Sequence, residues 1–130
     1  MKYLIDTDWI IHGLHGKERV VKKLLELRRE GLAVSVISLA ELYEGVFRSS
    51  DPVADERSLE DFLSGTSVLG ISEEICKSFG KERARLRKEG MLIGDFDLLI
   101  ASTCLHHDLT LLTDNIRDFK RVKNLKMLRK

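Results

Sequence analysis

Short apolar runs alternate with longer amphipathic ones along this chain. Tyr3-Leu4-Ile5 is an apolar triplet that stops at Asp6-Thr7-Asp8, as in a buried strand that delivers polar residues at its carboxyl end. Trp9-Ile10-Ile11 continue into a brief helical turn, with breaks expected near Gly13 and Gly16. Val20, Val21, Leu24, Leu25 and Leu27 fall at helical spacing within 17–30, and Gly31 closes that helix. Residues 32–37 are mostly apolar and β-branched, a second strand. A helix to about Arg48 follows, with Leu39, Leu42, Tyr43, Val46 and Phe47 on one face and Glu41 and Glu44 on another. Asp51-Pro52 opens a helix over 53–63, and 66–71 reads as a third strand. Ser72 caps a long polar helix to about Glu89, and a further helix ends near His107. A strand over 109–113, a short helix over 116–120 and a strand over 125–128 complete the chain. This alternation predicts an α/β fold of three layers, with a mostly parallel sheet of four to five strands between helices.

Length and composition narrow the picture. A chain of 130 residues with 43% apolar residues and a single proline fits one compact, helix-rich domain over 1–130. No apolar run is long enough to span a membrane, and Lys2 and Asp6 interrupt the opening residues, so a cytoplasmic protein is expected. Cys76 and Cys104 have no partner at the spacing of a zinc site, and read as small buried hydrophobes. Net charge is +1, but basic residues gather between Lys81 and Lys88 and again from Arg117 to Lys130.

The chemistry concentrates in Ile93-Gly94-Asp95-Phe96-Asp97-Leu98-Leu99-Ile100-Ala101. Two acids stand in the first turn of a buried helix, where the helix dipole favours negative charge. Gly94 is expected to supply an unusual turn and Asp95 the N-cap, which leaves Asp97 surplus. Other acids are due at the same place, because functional groups of a parallel sheet collect beyond the carboxyl ends of its strands. Asp6 follows the first strand, Glu41 lies in the first turn after the second, and Asp114-Asn115 follow the fourth. Each has a plain structural reading: Ser38-x-x-Glu41 is a capping box, and Asp6 and Asp114-Asn115 suit turns. Those readings do not explain why one sheet edge receives acids each time. Converging carboxylates repel one another unless a cation sits among them, and oxygen ligands without His or Cys suit Mg²⁺ or Mn²⁺. The pairs His12/His15 and His106/His107 lack the spacing for a shared metal.

Together, Leu4-Ile5-Asp6-Thr7-Asp8, Ser38-Leu39-Ala40-Glu41-Leu42, Gly94-Asp95-Phe96-Asp97-Leu98-Leu99-Ile100-Ala101 and Leu111-Leu112-Thr113-Asp114-Asn115 with Phe119 resemble the successive signatures of the PIN domain. Within that family the likeness is to VapC-type toxins. The resemblance implies an Mg²⁺-dependent endoribonuclease, Mn²⁺ substituting, that forms a homodimer and is restrained by a VapB-type antitoxin. It implies Asp6, Glu41 and Asp97 as the family's first three acids. Asp6 and Asp97 would ligate the metal, and Glu41 would position or deprotonate the attacking water. Asp95 would be auxiliary, and Thr7 and Thr113 would hold acids or phosphate. The fourth acid of many members aligns with Asn115, so that position falls to Asn115 through its carbonyl or to Asp118. Asp8 stands where Asn is commoner. RNA phosphates flanking an acidic pocket require cations, for which Arg83, Arg87, Arg117, Lys120 and Arg121 are the candidates.

Two other readings fit parts of the pattern. Asp6-Thr7-Asp8 after a strand, with a later Gly-Asp-x-Asp, resembles a HAD-type phosphatase with Asp6 as nucleophile. That reading leaves Glu41 without a role, and Ile10 stands where its threonine is expected. A non-catalytic PIN-like module binding RNA or protein is the other.

Overall fold

The computed structural model describes residues 1–129; Lys130, the last of the basic tail, lies outside the described residues. Five strands form one sheet: β1 (Tyr3–Ile5), β2 (Leu32–Ser35), β3 (Ser67–Leu69), β4 (Thr110–Leu112) and β5 (Lys126–Leu128). Their order is β3-β2-β1-β4-β5, and every pair is parallel, with Leu4 opposite Ala33 on one side and Leu111 on the other. The helices are α1 (Thr7–Leu14), α2 (Glu18–Leu27), α3 (Val36–Arg48), α4 (Pro52–Leu63), α5 (Glu73–Lys88), α6 (Asp95–His107) and α7 (Ile116–Phe119), with a 3₁₀ turn at Arg28–Glu30.

Alternation along the strands divides the core in two. Tyr3 and Ile5 of β1 and Leu32 and Val34 of β2 face a cluster built with Trp9, Val20, Leu24, Leu42 and Leu59 from α1 to α4. Leu4, Ala33 and Leu111 face the other side, where Leu86, Leu98, Ile100, Ala101 and Phe119 from α5 to α7 cover them. Both faces of the central strands are therefore apolar, which is why these segments read as continuous apolar runs. The sheet with its two helical layers is the three-layer α/β/α fold that the alternation predicts.

The chain runs outward from β1 to β2 and β3, then returns to β4 and β5 on the other side. A crevice opens where strand order reverses, beyond the carboxyl ends of β1 and β4.

Local differences from the sequence reading have clear causes. The second strand stops at Ser35, whose hydroxyl accepts the amide of Ile37 at 3.0 Å, so the β-branched Val36 and Ile37 are the first turn of α3. Ser38 is then inside the helix, and the Ser38–Glu41 capping box is not formed. Gly13 does not break α1: it is buried within it, and a Cβ there would meet the Phe62 ring of α4 at 2.6 Å. Glycine lets the two helices touch. Gly94 is the N-cap of α6 with φ −57°, a conformation open to any residue, and it contributes no unusual turn. Asp95 is the first helical residue and makes no cap. Cys104 is buried as expected, whereas Cys76 is exposed on α5.

Candidate active site

Asp6 caps α1 directly after β1. Its Oδ1 accepts the amide of Thr7 at 2.9 Å, and its Oδ2 accepts the Thr113 hydroxyl, from just beyond β4, at 2.7 Å. The carboxylate is thereby fixed across the reversal in strand order, and it is almost wholly buried. Burial, then the nearby charges of Asp97 and Asp8, push its pKa up to about 6 against the two hydrogen bonds, which lower it. Thr113 also accepts the amide of Asn115 at 3.0 Å, which sets the turn after β4.

Thr7 ties this acid to the next. Its Oγ1 lies 2.9 Å from Oε1 of Glu41 and 2.8 Å from Oγ of Ser38, both on α3. Ser38 and Glu41 are three residues apart and share a helical face. The third acid, Asp97, comes from the first turn of α6. Its pKa is raised, first by burial and then by the charges of Glu41, Asp118 and Asp8.

These groups line one cavity of about 410 Å³, with Asp6, Thr7, Asp8, Glu41, Asp97 and Asn115 in its wall. Four separate segments deliver them. Glu44, Gly45 and Arg48 extend the wall along α3, and Ile11 along α1. Asp118 stands beside it, accepting from the side-chain amide of Asn115 at 3.3 Å and acting on Asp97 through its charge. Asn115 and Asp118, the two candidates for the fourth position, thus form one hydrogen-bonded pair.

Asp95 is placed elsewhere. It is exposed and accepts from Nε of Arg83 at 2.8 Å, away from the cavity wall. None of Arg83, Arg87, Arg117, Lys120 and Arg121 lines the cavity; Arg87, Arg117 and Lys120 are exposed, and Arg121 donates to the Leu92 carbonyl at 3.2 Å. The cation in the wall is Arg48, 3.9 Å from Glu44. Ser38 and Arg48 are absent from the sequence-based site. The spacing of 41, 44, 45 and 48 is the helical signal that places Arg48 on the face of Glu41.

The donor set is all oxygen, without imidazole or thiolate, which suits a hard divalent cation. Among the described residues no three His, Cys, Asp or Glu side chains stand close enough together to hold a metal ion by themselves. Magnesium keeps several waters and is held by one or two carboxylates, so an open wall of partly buried acids fits it.

The geometry agrees with what comparison with known proteins finds. The PIN-domain sequence profile matches residues 3–125. Ribonuclease VapC2 of Rickettsia felis is 35% identical over 127 residues, covering 96% of this chain and 95% of that protein. The chain belongs to the PIN-domain family, among its VapC ribonucleases. The tRNA(fMet)-specific endonuclease VapC of Shigella flexneri is 29% identical over 126 residues, 97% of this chain and 96% of its own. The crystal structure of VapBC2 from Rickettsia felis bound to a promoter DNA fragment superposes with a TM-score of 0.94 at 32% identity, covering 100% of this chain and 99% of that one. For this PIN domain, membership displaces the phosphatase alternative. Among the described residues no helix is long and apolar enough to cross a membrane.

Proposed function

We propose that this VapC protein is an Mg²⁺-dependent endoribonuclease, the toxin of a VapBC pair, acting in the cytoplasm as a homodimer and restrained by a VapB-type antitoxin. The observation that carries the reading is the delivery of Asp6, Glu41 and Asp97 by three separate elements into one cavity, with Thr7 bonded to the first two. The names of its relatives support the nuclease, and the VapBC complexes support the antitoxin.

In this reading Asp6 and Asp97 hold the cation, and Asn115 or Asp118 completes its protein ligands. A divalent cation held there would supply acidification of a water and neutralisation of the charge developing on the phosphodiester. Glu41, oriented by Thr7, takes a proton from the attacking water. The water oxygen bonds to phosphorus, the bond from phosphorus to the 3′ oxygen breaks with its electron pair leaving on that oxygen, which takes a proton from solvent, and 5′-phosphate and 3′-hydroxyl ends result. Asp8 adds charge that raises the protonation tendency of Asp6 and Asp97 and strengthens their demand for a cation. Asp95, paired with Arg83 outside the cavity wall, is given no part in this scheme beyond holding that guanidinium.

Expression in a bacterial host tests the biological half of the reading. Growth arrest should follow induction and be absent with Asp97→Asn, nearly isosteric, or when a cognate VapB-type antitoxin is co-expressed. Arrest by Asp97→Asn protein at the wild-type level contradicts it.

A further inference from the structure

Phe96 stands between the two aspartates in the first turn of α6 and is 54% exposed. It belongs to neither core cluster. Successive helical residues are rotated by about 100°. Asp97 faces the acidic cavity, and Asp95, about 200° round the axis by the same rotation, faces α5, where Arg83 holds it. Leu98, on the other side of Asp97, is buried. The open side of this turn is therefore the arc from Asp97 across Phe96 to Asp95 and Arg83. A flexible polyanion leaving the cavity over α6 crosses the Phe96 ring before it meets a guanidinium.

The loop before α6 also exposes Met91 and Leu92, while the groups on the α5 side of this turn are cationic, as a nucleic acid requires. Arg87 lies one helical turn beyond Arg83 and is exposed. Arg121 is anchored to the loop just before α6, at the Leu92 carbonyl. An exposed ring between the cavity acid Asp97 and the Arg83-held Asp95 matches the chemistry of single-stranded RNA: phosphates for the cations of α5, an unstacked base for the ring.

We propose that Phe96 is a base-stacking platform for the unpaired nucleotide beside the scissile phosphodiester, with Arg83 and Arg87 receiving the phosphates that follow it. This rests on the ribonuclease reading and deepens it, since it requires the RNA to be single-stranded at that nucleotide.

The chain has one tryptophan, Trp9, and it is fully buried, so Phe96→Trp adds a single accessible indole. Its fluorescence is followed in EDTA as a short single-stranded oligoadenylate is added, beside an abasic ribose–phosphate oligomer of equal length. Quenching by oligoadenylate and not by the abasic oligomer is expected. In steady-state cleavage, Phe96→Ala should raise KM about five- to 150-fold, the fold-change equivalent to roughly 1–3 kcal/mol of base stacking, with kcat little changed. Phe96→Tyr should restore wild-type KM. An indole that responds alike to both oligomers, or a Phe96→Ala protein with wild-type KM and cut positions, overturns the proposal and gives the ring to a protein contact. A wild-type protein that cleaves no RNA defeats the ribonuclease reading instead, and the indole response still decides whether bases stack here.

Discussion

The Thr7 hydroxyl lies 2.9 Å from the carboxylate of Glu41, 34 residues further along the chain. A hydroxyl has one proton to donate, and an ionised carboxylate only accepts. Thr7 therefore donates to Glu41 and accepts from Ser38, whose Oγ is 2.8 Å away and fully buried. Ser38 orients Thr7, Thr7 orients Glu41, and the Thr7 amide holds Asp6.

Thr7→Val keeps the shape of the side chain and removes this link. It should lower kcat by about ten- to a hundredfold, in the range of a misdirected general base, and cost about 1–2 kcal/mol of stability by stranding the Ser38 hydroxyl. Thr7→Ser should retain most of both. If Thr7 acts through Glu41, the Thr7→Val/Glu41→Gln double variant falls little below Glu41→Gln alone in kcat, whereas additive losses contradict the coupling.

Asp6 makes metal-free stability depend on pH. Its folded pKa of about 6 lies above the ordinary 3.8, so the folded chain binds this proton more tightly than the unfolded one. The stabilisation is complete below about pH 4 and is lost as pH rises through about 6. Asp97, also raised, adds to the same trend. Measured without divalent cations, Asp6→Asn should therefore gain on wild type between pH 4 and pH 7, by on the order of 2–3 kcal/mol at the neutral end. Saturating Mg²⁺ should reverse the order, because it stabilises only the chain that keeps the carboxylate. Parallel curves for the two proteins across this range count against the burial of an uncompensated Asp6.

Thr113 should matter through the same carboxylate. Thr113→Val removes the 2.7 Å hydrogen bond that lowers the Asp6 pKa, and the acceptor for the Asn115 amide. The Mg²⁺ concentration for half-maximal cleavage should rise, with a stability loss of about 1–2 kcal/mol. An unchanged metal requirement would show that Asp6 does not need this partner.

Gly94 offers a contrast. Its φ is ordinary, and a Cβ would come no nearer than 3.9 Å to Oδ2 of Asp97. Gly94→Ala should unfold within about 0.5 kcal/mol of wild type by denaturant titration.

Much of the arrangement is legible in the sequence, for reasons tied to particular residues. Tyr3-Leu4-Ile5 and Leu109 to Leu112 are apolar on both faces and end in polar residues, so Asp6 and Thr113 read directly as strand-end groups. Leu98-Leu99-Ile100-Ala101 marks a helix buried nearly all round, and places Asp97 at its head. The start of α3 is harder, since Val36 and Ile37 suit a strand and both Ser35 and Ser38 suit an N-cap. Only packing chooses Ser35 and frees Ser38 to meet Thr7. Asp95 and Asp97 are equivalent as letters, and the rotation between them is what sends one to Arg83 and the other to the cavity. Arg48 reads as a cation complementing a helix end, and its place in the acidic wall depends on how α3 lies on β1 and α1.

Cleavage of total cellular RNA by purified protein tests the central claim most directly, with Mg²⁺, Mn²⁺ or EDTA, and with Asp6→Asn and Asp97→Asn alongside. Discrete cuts with 5′-phosphate ends, dependent on Mg²⁺ or Mn²⁺ and lost in both variants, are predicted. Cuts that persist in EDTA or in either variant would contradict a metal-dependent site built on Asp6 and Asp97.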